Sequence, residues 1–423
     1  LSSSSAASDV YKRQVLDLDL GLLEQHLIET RDHKDKLLGN AGVDKKDLMS
    51  NPKFAKLLEG LGVTPPMKIS QTTGKETFAF AKSDEDFMAL ADHENSSVQT
   101  LVAARLGNKS TLEETRTQRF IDISKRGLLP VPVKYYAAHT GRWGGDDKIN
   151  LQNLPSRGTH GKKLKRSIIP PSRHSLVEVD SAQIEARILA WLAEQDNLTN
   201  AFTNGEDVYV QMASRVYDKD EKDITKEERF VGKTTILGAG YGMGAVRFKE
   251  QLKTFGVDIE LEEVRRIIKI YREANYNINF LWRDAQNMLV NLARGDAVSF
   301  GRDNLLSVDA KRCALELPSG LFMRYEDLRA ENVVNEFDGV PTQTIEYTYK
   351  TRRGRTRIYG GKVIENVCQA LARCIIGEQM LEISKRYKVV LTVHDSVVCC
   401  VPDDEVEDCL LYTSPSPRDR TRS

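Results

Sequence analysis

The sequence predicts an α+β fold, with many helices and a few short, scattered strands. Two observations carry that expectation. Helical segments dominate residues 15–62, 84–126, 206–290 and 361–387. β-rich runs are confined to 176–180, 341–360 and 389–401, and they do not alternate with helices as a wound parallel sheet requires. No internal repeat is visible.

Taken in order, Leu16, Leu20, Leu23 and Leu27, then Leu48, Phe54, Leu57 and Leu58, fall at helical spacing, and Pro65–Pro66 close that block. A charged helix follows across 84–126. Gly127 to Pro132 marks a boundary. Residues 139–175 are rich in turns and bases, including Lys162, Lys163, Lys165, Arg166 and Arg173. A short strand at 176–180 runs into a helix ending near Leu192. Ile345, Tyr347 and Tyr349 alternate as one arm of a hairpin with a turn near Gly354, and 389–401 reads as a second hairpin.

Composition narrows the class. Lys and Arg number 61, Asp and Glu 61, with 40% hydrophobic and 29% charged residues in 423. Disulfide scaffolds, collagen-like chains and wholesale disorder are excluded. Any nucleic-acid surface must therefore be a local basic patch balanced by acid elsewhere. Six scattered cysteines without a C-x-x-C pair read as reduced thiols. No apolar run approaches the ~18 residues of a membrane span. Residues 1–14 and 411–423 are low in core-forming residues and read as translated adapter sequence, hence as non-native tails.

Three places carry chemistry. In the first, the strand at 176–180 delivers Asp180 at its C-terminal end, where sheet backbone can fix a metal-ligating carboxylate. Alone, an acid at a helix start also suits the helix dipole. In the second, Thr225 and Glu228 form a capping box, so a helix begins there. Arg229, Lys233, Leu237 and Tyr241 recur every four residues. That stripe of two cations, an aliphatic and an aromatic suits a nucleotide, although a charged face running into a core face has the same pattern. Gly240 and Gly242 match part of a dinucleotide fingerprint but follow a helix, so that reading is rejected. In the third, His394, Asp395 and Ser396 occupy a turn between two β-rich runs. A turn needs such residues anyway, but a second carboxylate on a rigid hairpin is what a two-metal site requires.

In this order, the three places resemble motifs A, B and C of family A DNA polymerases, most closely the bacteriophage members, over residues 40–410. Thr140–Gly141–Arg142–Trp143 with Asn150–Leu151–Gln152–Asn153 resembles the segment before motif A. Tyr359 to Arg373 resembles the helix between motifs B and C. The resemblance implies a right-hand polymerase fold: a palm with a small antiparallel sheet, helical fingers and a partial helical thumb. Residues 15–125 would be thumb remnant and adjoining helices, 126–195 and 300–410 palm, and 196–299 fingers.

The same resemblance implies the site. Asp180 and Asp395 would hold two Mg²⁺ ions. Arg229 and Lys233 would grip the dNTP triphosphate, with Lys233 also protonating the leaving pyrophosphate. Leu237 would face the sugar, Tyr241 would check base-pair geometry, and Glu185 would block a ribose 2′-OH. Arg142, Gln152, Gln369 and His394 would contact DNA. The Lys162–Arg173 and Arg352–Arg357 clusters would neutralise phosphates. The implied reaction is template-directed addition of dNTPs to a primer 3′-OH, on primer-template DNA in the host cytoplasm of a phage, with accessory replication proteins possible and no membrane.

The chain departs from the family pattern twice. Leu237 stands where Phe or Tyr is common, and Ser396 where a Glu usually follows the catalytic Asp. Alternatives are a single-subunit RNA polymerase, a two-metal nuclease, and an inactive nucleic-acid-binding fragment. The segment of about 125 residues ahead of the motifs has one acidic cluster, Asp84–Glu85–Asp86, which reads as a solvated face. The chain is therefore expected to lack proofreading.

Overall fold

The structure is a computed structural model that describes residues 15–70, 74–154, 161–337, 340–352 and 354–413. The expected tail 1–14, and 414–423 of the other, lie outside the described residues. The chain divides into two compact units, one of 1–132 with 147–176 and one of 133–146 with 177–423. Gly127–Pro132, the expected boundary, leads up to the first division. The grouping cuts across the expected 126–195 segment and leaves 196–299 in one unit with 300–410.

The first unit is built on α1 (Leu20–Ala41), α2 (Ser96–Lys109) and α3 (Leu112–Ser124). Asp19 caps α1 by accepting from the Leu22 N–H, and Gly42, at φ +62°, ends it. Leu48, Phe54, Leu58, Phe80, Phe87, Val98 and Leu101 bury together, with Phe54 and Phe80 edge to face at 4.9 Å. Arg105 is buried among them. Its guanidinium lies 4.3 Å from the Phe54 ring centroid and donates to the Leu48 carbonyl and the Asn51 side chain, which makes a buried cation tolerable. Asp84, of the expected solvated cluster, pairs with Lys68 at 2.6 Å.

Strand β1 (His174–Asp180), which enters the second unit at Val177, leads into α4 (Ile184–Leu192), as the sequence predicts. The following helices are α5 (Asp196–Thr203), α6 (Val208–Tyr217), α7 (Lys226–Ala239), α8 (Ala245–Thr254), α9 (Leu261–Ala274) and α10 (Tyr276–Arg294), matching the helical reading of 206–290. The expected capping box of α7 is present: Glu228 N–H donates to Thr225 Oγ1 and Thr225 N–H to Glu228 Oε2.

Next comes an antiparallel meander of β2 (Ser299–Phe300), β3 (Leu306–Asp309), β4 (Ala314–Glu316) and β5 (Phe322–Arg324). The sequence reading has no element there, because strands of two to four residues are too short to show alternation. The expected hairpin at 341–360 is one part of a three-stranded ribbon: β6 (Arg329–Phe337), β7 (Val340–Thr351) and β8 (Gly354–Ile358). Ile345, Tyr347 and Tyr349 do share a face, but the core covers only part of it. Tyr347 and Tyr349 are buried while Ile345 is exposed.

Helix α11 (Gly360–Ile383) follows, then β9 (Lys388–Val393), β10 (Ser396–Pro402) and α12 (Val406–Thr413). The expected boundary at 411 falls inside α12, whose Thr413 hydroxyl donates to the Cys409 carbonyl. The sheet order is β9-β10-β1, so the strand ending at Asp180 lies beside the hairpin that carries Asp395. Helix α11 packs on α4 and on this hairpin.

Candidate active site

Asp180 is the last residue of β1 and is exposed. The chain then turns sharply, with Gln183 at φ +58° before α4 begins. His394 and Asp395 form the two-residue turn between the paired residues Val393 and Ser396, and His394 takes φ +54°. The Ser181 N–H donates to the Asp395 carbonyl at 3.0 Å. The residue after one candidate carboxylate is therefore bonded to the backbone of the other. Ser181 Oγ also donates to Gln379 Oε1 of α11 at 3.1 Å, which ties the junction to the helix behind it.

Arg142 reaches this junction from residues 133–146. Its Nη2 donates to Glu185 Oε1 and stands 3.7 Å from Asp395 Oδ1. Burial pushes the Glu185 carboxyl above its ordinary value, Arg142 pulls it back, and Asp395 and Glu365 add to the rise. Arg373 lies over the rings of Tyr135, at 5.2 Å, and Trp143, at 5.8 Å. On α11, Gln369 bonds to Glu365 at 3.4 Å. His394 is exposed at its turn.

Helix α7 presents Arg229, Lys233 and Leu237 outward, with Lys233 and Leu237 exposed. The stripe stops there. α7 ends at Ala239, so Tyr241 lies past the helix and leaves its exposed face. The Tyr241 hydroxyl shares a hydrogen bond with the Cys368 thiol of α11, and burial holds its pKa well above the ordinary value. A side chain at Gly361 would meet the Tyr241 carbonyl at 2.3 Å, so a glycine is needed where α11 passes this backbone.

Arg229 is already engaged. Its Nε and Nη2 both lie 2.8 Å from Asp207 Oδ2, while Asp207 Oδ1 caps α6 by accepting from the Tyr209 and Val210 N–H groups. The Tyr209 ring lies 5.3 Å from the Arg229 guanidinium and 5.9 Å from the Lys233 ammonium. The sequence reading missed Asp207 and Tyr209. Asp207 is legible as a helix cap, but its link to Arg229 exists only once α6 and α7 pack. They pack closely because Gly232 leaves room; a Cβ there would sit 2.2 Å from the Tyr209 carbonyl.

The structure thus brings Asp180, Asp395, Glu185 and Arg142 to one junction, with Arg229, Lys233 and Leu237 on a helix of the same unit. Gln152 falls in the first unit, in the short turn Leu151–Asn153. The basic clusters are partly neutralised: Lys163 pairs with Glu29, Arg355 with Asp327 at 2.7 Å, and Arg357 with Glu346 at 2.9 Å.

The sequence profile of DNA polymerase family A matches residues 22–298, more than half of the chain. The chain belongs to DNA polymerase family A. The match takes in Asp180 and the α7 stripe and ends before Asp395. This family A chain is 27% identical over 312 residues to a DNA polymerase of Bacillus phage SP02, covering 66% of the chain and 47% of that protein. It is 34% identical over 128 residues to the thermostable DNA polymerase I of Thermus thermophilus, covering 30% of the chain and 15% of that enzyme. The chain spans about half the length of the phage relative. Its fold is that of the POL domain of Pol1 from M. smegmatis, solved with DNA primer-template and dNTP. The TM-score is 0.66 at 20% identity, over 94% of this chain and 63% of that one. The expected α+β polymerase fold is borne out.

Family A polymerases use divalent metal ions. Asp180 and Asp395 fit Mg²⁺ in kind: both carry hard oxygen donors, Asp180 at the end of a strand and exposed, Asp395 in a hairpin turn. Among the described residues, no group of three or more His, Cys, Asp or Glu forms a ready-made cage.

Proposed function

We propose that this chain is the polymerase core of a phage-like family A DNA polymerase, adding dNTPs to a primer 3′-OH under template direction. The observation that carries the reading is the Ser181–Asp395 backbone bond. It sets the strand end that carries Asp180 beside the turn that carries Asp395, in the unit that also holds the Arg229–Lys233–Leu237 face.

In this reading Asp180 and Asp395 hold two Mg²⁺ ions. When bound, these ions activate the primer hydroxyl and neutralise charge on the phosphates. Lys233 faces the triphosphate and donates a proton to the departing pyrophosphate. Arg229 leaves Asp207 for the phosphates, exchanging one oxyanion for another. Leu237, one turn beyond Lys233, faces the sugar. Tyr241, fixed by Cys368 and Gly361, meets the templating base pair. Glu185 fills the space a ribose 2′-OH would need. Arg142 and Gln369 read minor-groove acceptors shared by all correct pairs, His394 supports the primer end, and Gln152 contacts DNA. Residues 15–125 act as thumb remnant, 126–195 and 300–410 as palm, and 196–299 as fingers. The setting is DNA replication in a bacterial host cytoplasm, with accessory replication proteins.

The test is Mg²⁺-dependent primer extension on a defined template, with dNTPs against rNTPs. Extension with dNTPs supports the reading. Equal use of rNTPs would favour the single-subunit RNA polymerase, which Glu185 argues against. DNA binding without extension would mark an inactive nucleic-acid-binding fragment.

Among the described residues, no helix is long and apolar enough to cross a membrane.

A further inference from the structure

We infer that Glu178 is a third carboxylate serving the metal pair of this site, supplied from β1; the inference rests on the polymerase reading above. Three observations carry it. Along β1, Val177 is buried while Glu178 and Asp180 are exposed, so the two acids share one face. Two residues along a strand separate them by about 7 Å. The sheet order places β10 beside β1. There Ser396, buried and next in sequence to Asp395, points its hydroxyl at Glu178 Oε1, 3.2 Å away. The same hydroxyl lies 3.0 Å from the Val393 carbonyl, so its single proton is shared between two acceptors.

The two strands are therefore linked twice around the candidate ligands, by Ser181 N–H to the Asp395 carbonyl and by Ser396 Oγ to Glu178. Ser396 cannot supply negative charge. Its neighbour on the adjoining strand does, at the position the Ser396 side chain faces. Two divalent ions carry four positive charges, and Asp180 and Asp395 offset two. A further carboxylate one pleat away would raise cation affinity without being a direct ligand. Glu178 is thus a positioning residue, and its charge is what matters.

Glu178→Gln separates charge from structure, because its amide oxygen still accepts from Ser396. The full chain, with primer-template bound, is titrated with Mn²⁺ while free Mn²⁺ is followed by electron paramagnetic resonance. The Mg²⁺ concentration for half-maximal extension is measured in parallel. Glu178→Gln should weaken Mn²⁺ binding about tenfold and raise the Mg²⁺ requirement in the same direction, with an unchanged melting temperature. Adding Ser396→Glu to that variant should restore both, since it returns a carboxylate to the same edge from the other strand. Wild-type Mn²⁺ affinity and Mg²⁺ requirement in Glu178→Gln would overturn the inference and leave the polymerase reading standing. An unmutated chain that fails to extend primers would overturn the polymerase reading, and the Mn²⁺ titration would still judge Glu178. If the unmutated chain binds no Mn²⁺, this inference falls too.

Discussion

The Ser181 N–H donates to the carbonyl of Asp395 at 3.0 Å, so the backbone after Asp180 and the turn bearing Asp395 are held in a fixed relation before any substrate arrives. Two Asp residues carried on backbone held this way start from fixed points, and little reorganisation is the condition under which electrostatic stabilisation is largest. Asp395→Asn should leave this backbone bond intact and lower primer extension by about 100-fold or more. DNA affinity, followed by fluorescence anisotropy, should change little. Robust extension by the variant would remove Asp395 from the site.

If Arg229 receives the triphosphate, as proposed, Asp207 is its competitor. Both partners are partly exposed, so their pair contributes about 0.2–1 kcal/mol. Asp207→Asn keeps a capping oxygen for α6 and removes the charge. It should lower the dNTP KM by roughly 1.5- to 5-fold, the factor that energy corresponds to. Lys233→Ala should act in the opposite sense, raising the dNTP KM and lowering kcat while leaving primer-template affinity unchanged. Steady-state kinetics on one template compares both. If DNA affinity fell instead in Lys233→Ala, α7 would be a DNA-facing helix.

Burial raises the Glu185 carboxyl above its ordinary value of 4.5. A folded-state pKa above the unfolded one means that the group favours folding fully below the unfolded value. That contribution is lost as pH rises through the folded value. Glu185→Gln, neutral throughout, should therefore gain melting temperature relative to the unmutated chain as pH is raised from about 4 to 7. A pH-independent difference would mean Arg142 fully offsets the burial of the carboxylate. The shorter Glu185→Ala should raise rNTP use relative to dNTP, and an unchanged ratio would place the sugar gate elsewhere.

Gly361→Ala puts a methyl group 2.3 Å from the Tyr241 carbonyl, and backbone cannot yield as a flexible side chain can. The variant should lose about 1–3 kcal/mol of stability in denaturant unfolding. If Tyr241 meets the templating base pair, as proposed, the variant's dNTP kinetics should suffer as well, because the displaced carbonyl is that of Tyr241. Wild-type stability would mean α11 can shift at little cost.

Elements whose signals are local were legible in the sequence. The Thr225–Glu228 capping box announces α7, the Leu176–Val177–Glu178–Val179 segment before Asp180 announces β1, and the turn at His394 announces the last hairpin. The order of Asp180, the α7 stripe and Asp395 pointed to the family. Relations between distant segments were not legible. Nothing in the residues around Arg229 indicates that Asp207 holds it, and nothing near Ser396 indicates that Glu178 lies across the strand boundary. Tyr241 fits the four-residue spacing of the stripe, yet the helix stops at Ala239, because spacing describes an ideal helix and not where one ends. The meander of β2–β5 escaped notice since its strands are too short for a period to repeat.

The close packing of α6 and α7 at Gly232 has a kinematic consequence. Residue 232 contributes no side chain, so the backbones of the two helices meet directly there and leave no room for a bulkier residue. In the polymerase reading, helices in such direct contact are expected to move together, so a closure that carried Lys233 toward a nucleotide would carry Asp207 with it. Handing the Arg229 guanidinium to an incoming phosphate would then be a rotation of one side chain.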